Sequence, residues 1–198
     1  MPAVMRELKH KGLAVPVSFV RANTSTWRPG ARDREVRLIV LHSAECSEVT
    51  QAAESLGSWL SGPSAPKASW HFAVDNNSIT QSVELHDIAW HAGPVNGYSV
   101  GIEQAGRASQ TREQWLDPYS RAVLENTAKL IAVIAGMYDL PIEYCSNPKL
   151  PGARGICMHS DVTRAWQTKG GHTDPGKDYP LSFVLDRAYA LQLKAVSS

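Results

Sequence analysis

The sequence predicts an α/β fold, a mixed central β-sheet flanked by helices. Three observations lead there. Short, β-branched apolar runs such as "VRLIVLHS" (36–43) have the length and composition of buried strands. Other segments, the longest at 117–138, carry apolar residues at helical spacing. The two kinds alternate along the chain, as they do where helices pack on a sheet. The 198 residues are 43% hydrophobic and 20% charged, enough for one domain with its own core. No internal repeat or low-complexity tract interrupts them.

The elements follow in order. Residues 1–34, rich in Pro, Gly and Arg around "RANTSTWRPGARDRE", are expected to be an irregular N-terminal extension, with the domain itself at 35–198. "VRLIVLHS" is a strand ending at His42. In "SEVTQAAESLGSWLSGPS", Ser47 or its neighbours can cap a helix. Val49, Ala52, Ala53, Leu56, Trp59 and Leu60 would share one face of it, and Gly62-Pro63 would stop it. "SWHFAVD" and "SITQSVE", joined at Asn76-Asn77, read as a hairpin. "YSVGIEQAG" (98–106) is a further strand. Asp117-Pro118 opens the longest helix, with Leu124, Ala128, Ile131, Ile134 and Tyr138 in register and Pro141 beyond its end. "GICMHS" (155–160) is a short strand ending at His159. "LSFVLDRAYALQLKAV", after Pro180, is a closing helix.

Bulk properties exclude several classes. A net charge of +1 leaves no basic footprint for nucleic acid and no polybasic membrane patch. No apolar run approaches the roughly 20 residues that span a bilayer, so no membrane insertion is expected. "MPAVMRELKHKGLAVPVSF" has no continuous apolar core of a secretory signal. A protein made for the cytoplasm, or exported by a route that leaves no mark here, is expected. Three cysteines do not make a disulfide framework, although one Cys145–Cys157 bridge remains open.

The chemistry gathers at strand ends and in one loop. His42 and His159 each sit at the end of a short apolar strand, where an α/β sheet presents groups to a crevice. "GGHTDPG" (170–176) adds Asp174 on a Gly/Pro loop. If the strands are neighbours, two imidazoles and a carboxylate converge, a donor set suited to a catalytic Zn²⁺ with an open position. The plain readings are satisfied histidines and a turn aspartate. In "SVGIE", alternation puts Glu103 on one face with Ser99 and Gly101, opposite Val100 and Ile102. A carboxylate there faces either a polar cavity or, on an edge strand, solvent. His172 shares the loop of Asp174 and reaches whatever Asp174 holds. Cys46, four residues after His42, is a rival ligand or a packed thiol; packing is preferred, because an exposed thiolate would oxidise.

These residues, in this order, resemble the zinc-dependent N-acetylmuramoyl-L-alanine amidases of type 2, a family that includes phage endolysins and the peptidoglycan recognition proteins. "LIVLHSAE", "SWHFAVDNN", "AWHAGPVNGYSVGIEQAG", "MHSDV" and "HTDPG" look like its successive motifs, from about Val36 to Tyr179. The resemblance implies a zinc-containing groove on one face of the sheet. It implies Zn²⁺ ligands at His42, His159 and Asp174, a catalytic Glu103, and His172 where many members carry Lys. His91 would face substrate, with Trp90 beside it. The reaction implied is hydrolysis of the amide between N-acetylmuramic acid and L-alanine in bacterial peptidoglycan. A monomeric endolysin catalytic domain, held in the host cytoplasm before release to the wall, is expected. Trp70 stands where one branch has a catalytic Tyr, so that role is absent. Two other readings remain: a peptidoglycan-binding module without catalysis, and a zinc peptidase cutting elsewhere in the stem, although no HExxH is present.

Overall fold

In the computed structural model, which describes residues 3–30, 32, 35–168 and 170–196, seven strands form one sheet. They are β1 (Val4–His10), β2 (Leu13–Phe19), β4 (Leu38–Ser43), β5 (Phe72–Val74), β6 (Ile79–Gln81), β8 (Ser99–Gln104) and β9 (Gly155–Met158). Their order is β1-β2-β6-β5-β8-β4-β9. The β5–β8, β8–β4, β4–β9 and β2–β6 pairs are parallel; β1–β2 and β5–β6 are antiparallel. The sheet is therefore mixed, as expected. Two short strands, β3 (Trp27–Arg28) and β7 (Ile88–Ala89), pair separately.

The irregular extension expected at the N-terminus is corrected. Its first part is a hairpin, β1–β2, that forms one edge of the central sheet. Lys11 and Gly12 make the turn with φ of 40° and 79°, the left-handed pair that matches the twist of a two-residue hairpin. Val15, Val17 and Phe19 point inward, and Pro16 points out. Ala31, Asp33 and Arg34, also within that expected extension, lie outside the described residues, as do Met1 and Pro2.

Strand alternation divides the core between two faces. Ile39 and Leu41 of β4, Val100 and Ile102 of β8 and Ile156 of β9 meet the two long helices α3 (Pro118–Met137) and α5 (Leu181–Val196). On the opposite face, Leu38, Val40 and Cys157 meet Val162 of α4 (His159–Trp166), and Ala73 meets α1 (Ala52–Ser61). Leu38 through Leu41 are fully buried. Truncating Ile39 to Ala would cost about 2–5 kcal/mol. The Asp117 carboxylate caps α3 by accepting the Ser120 N–H at 2.8 Å. The first helix starts later than its expected cap: Ala52, Ala53, Leu56 and Leu60 are buried, whereas Val49 precedes the helix and Trp59 is 46% exposed. A four-residue helix, α2 (Arg112–Trp115), precedes α3.

Cys46, Cys145 and Cys157 are all free thiols. Among the described residues, no helix is long and apolar enough to cross a membrane.

Candidate active site

His42 lies on the same face as Leu38 and Val40, near the end of the central strand β4. The β4–β8 register sets it directly beside Glu103, which follows Ser99 and Gly101 on that face. Glu103 is thus on a central strand, and the alternative of a solvated edge is excluded. On the other side of β4, the register pairs Leu41 with Met158, so the chain delivers His159 next to His42 at the first turn of α4. The Asp161 carboxylate accepts the Met158 N–H at 2.8 Å and fixes that helix start.

Asp174 arrives from the loop between α4 and α5. Its carbonyl accepts the Ser160 N–H at 3.0 Å. Gly176 (φ +106°) runs so close to the Ala108 carbonyl that a Cβ would overlap it, so this turn has room only for glycine. Downstream, the Tyr179 hydroxyl donates to Gln104 Oε1 at 2.7 Å, and Gln104 Nε2 donates to the His42 carbonyl at 3.1 Å. The loop and the strand carrying His42 are therefore tied together by one side chain.

The result is a convergence. Asp174 Oδ2 lies 3.0 Å from His42 Nδ1 and 3.3 Å from His159 Nδ1. One ligand-type atom from each of the three lies within 4.8 Å of the others, and all three residues are buried. Two imidazole nitrogens and one carboxylate oxygen, brought inside with their lone pairs together, suit Zn²⁺. Glu103 Oε1 stands 3.9 Å from His42 Nδ1. His172 stacks on His159, with ring centroids 3.9 Å apart, and its Nδ1 is 3.4 Å from Asp174 Oδ1. Its side chain is 62% exposed, against 11% for Asp174, so the two loop residues differ in placement.

Burial governs the electrostatics. It pushes the Glu103 carboxyl up to about 8, helped by the negative charges of Asp174 and Glu45. Burial also works to raise Asp174, but the contacts from His159 and His42 prevail and hold it far below the usual carboxylate range. Burial lowers His42, and lowers His91 further with the neighbouring imidazoles.

One cleft takes in His42, Glu103, His159, His172 and Asp174, with Trp59, Trp70, Trp90 and His91 among its walls. All seven residues expected at the site are thus together. Trp90 is 37% exposed. His91 is turned inward: its Nδ1 is 3.1 Å from His42 Nε2 and its Nε2 is 3.1 Å from Ser99 Oγ. Cys46 packs against the apolar cluster around α1, and burial raises its thiol pKa. His71 is fully buried and accepts the Gly101 N–H at 3.0 Å, in keeping with a structural place. Ser99, Asn96 and Gln104 were not singled out by the sequence; only the "SVGIE" alternation pointed toward Ser99.

Comparison with known proteins agrees with this geometry. The family model described as N-acetylmuramoyl-L-alanine amidase matches residues 32–177. N-acetylmuramoyl-L-alanine amidase A of Achromobacter lyticus is 28% identical over 169 residues, covering 79% of this chain and 88% of that protein. The amidase XlyA of Bacillus subtilis strain 168 is 33% identical over 88 residues, 39% of this chain and 29% of that one. The fold is shared with the Staphylococcus aureus hydrolase AmiA, solved with its ligand, at a TM-score of 0.63 and 15% identity, covering 90% and 84% of the two chains. With about three quarters of its length inside the family model, the chain belongs to the N-acetylmuramoyl-L-alanine amidase family.

Proposed function

We propose that this amidase is the catalytic domain of a phage-endolysin-like enzyme that works on bacterial peptidoglycan, with one Zn²⁺ held by His42, His159 and Asp174. The bond cut is the amide between the lactyl group of N-acetylmuramic acid and the L-alanine of the stem peptide. The observation that carries the reading is the position of Glu103, a half-buried carboxyl on a central strand, 3.9 Å from the nitrogen that His42 turns toward Asp174. Zn²⁺, when bound, supplies a Lewis acid for the carbonyl and the attacking water.

The chain's own residues do the rest. Glu103 takes the proton of the attacking water and passes it to the leaving amine. His172, at the rim, donates a hydrogen bond to the oxygen that gains charge as the carbonyl is attacked. Trp90 offers an exposed ring face to sugar or peptide, and His91 completes that wall with ring atoms. The protein acts as a monomer.

Mass spectrometry of purified bacterial walls digested with the zinc-loaded protein tests this. Free stem peptides beginning at L-alanine, with intact glycan, are expected. Cuts within the stem would make the chain a peptidase, and binding without products would make it a recognition module.

A further inference from the structure

The hydrogen bonds around His91 fix where its proton lies. Ser99 Oγ is 2.8 Å from the Val95 carbonyl and 3.1 Å from His91 Nε2. A carbonyl only accepts, and a hydroxyl has one proton. Ser99 therefore donates to Val95 and accepts from His91 Nε2–H. A neutral imidazole carries one N–H, so His91 Nδ1 is bare and can only accept. Its partner, 3.1 Å away, is His42 Nε2, which must hold the proton. The nitrogen of His42 left for a cation is then Nδ1, the one 3.0 Å from Asp174 Oδ2 and 3.9 Å from Glu103 Oε1.

We infer that His91 and Ser99 are positioning residues that set the tautomer and ring orientation of His42, so that Nδ1 is the nitrogen offered to a divalent cation. The fold around His91 is shaped for this. The Asn96 side chain accepts the N–H groups of His91 and Ala92, at 3.1 and 2.7 Å, and holds the loop. A Cβ at Gly101 would stand 2.5 Å from Cγ of the His91 ring, so glycine there makes the room the ring occupies. The rings of His91 and His42 meet edge to face at 82°. Along one face of β8, Ser99 orders the proton, Gly101 admits the ring, and Glu103 reaches the cleft. Both nitrogens of His91 are committed, so it acts through His42.

This inference rests on the zinc reading above for the identity of the cation, but the proton order can be read without it. In ¹⁵N-histidine NMR of the zinc-loaded protein, His42 is expected to be protonated at Nε2 and His91 at Nε2, with coupling across the His42–His91 hydrogen bond. A proton on His91 Nδ1, or metal on His42 Nε2, would overturn the inference. If the protein takes up no zinc, the zinc reading fails; the same spectra of the zinc-free protein then decide the rest by whether His91 Nδ1 is bare. Zinc competition against a chromophoric chelator adds a second readout. His91→Leu, which cannot accept, should bind zinc roughly 10–100-fold more weakly. His91→Asn, which restores an acceptor near the same place, should recover most of that loss. Equal affinity for His91→Leu and the unaltered protein would contradict the inference.

Discussion

His42 and Glu103 are register partners on adjacent parallel strands, and their side chains leave the sheet on the same face, with Nδ1 and Oε1 3.9 Å apart. Parallel pairing of β4 and β8 is thus what brings a metal-type ligand and a titrating carboxyl to one cleft. Asp174 and His159 join them through the next strand, β9, and the loop beyond α4.

Removing a ligand should cost metal and stability together. His159→Ala and Asp174→Ala are expected to lose zinc, measured by elemental analysis, and the zinc-dependent rise in Tm. A chelator should abolish the activity of the unaltered protein, and added zinc should restore it. Active protein without metal would refute the assignment.

His172 is expected to behave differently from Asp174, its neighbour two residues on. His172→Ala should keep full zinc and lose roughly 10²–10³-fold in kcat, the range for removing one oxyanion donor. His172→Lys should regain part of that loss. Loss of zinc from His172→Ala as ready as from Asp174→Ala would make His172 a ligand.

Gly176→Ala should disturb the loop that carries Asp174. Its φ is +106°, and a Cβ would collide with the Ala108 backbone. A drop in thermal stability together with weaker zinc binding is expected. A drop in stability at unchanged zinc affinity would show that the turn and the ligand are independent.

Acid should destabilise the fold partly through His71, whose pKa is pushed to about 3 by burial and by Arg32 nearby. The unfolded chain takes this proton near about pH 6.5. Above that value both states are neutral at this residue and nothing is lost. Between about 6.5 and 3 only the unfolded state is protonated, so stability falls by up to about 1.4 kcal/mol per pH unit. Urea unfolding of the zinc-free protein should show a shallower pH slope in His71→Asn than in the unaltered chain. Equal slopes would mean that His71 takes up its proton while folded.

The sequence was most legible where one chemical pattern decided the outcome. The β-branched runs of β4 and β8 and the apolar spacing of α3 needed only periodicity, and the strand ends marked His42 and His159. The β1–β2 hairpin was hidden because β1, "VMRELKH", is an edge strand with mostly exposed side chains, and Pro16 interrupts β2. Yet the inward series Leu13, Val15, Val17 and Phe19 has the strand period of two. Helix α4, "HSDVTRAW", buries only His159, Asp161 and Val162, too few apolar residues to show a helical stripe. The capping-box pattern of Thr111 and Gln114 was a usable sign of α2. The inward turn of His91 could not be read at all, since it depends on Ser99 and His42, which meet only through the sheet register.

The most direct test of the account is Glu103→Gln, followed by zinc content, Tm and turnover of muramoyl-peptide on the same sample. Zinc at one ion per chain and a Tm near that of the unaltered protein are expected, with turnover lower by roughly 10²–10⁴-fold, the range of a general acid–base contribution. Full turnover with zinc in place would contradict the account, because the carboxyl beside His42 would then have no part in moving the proton.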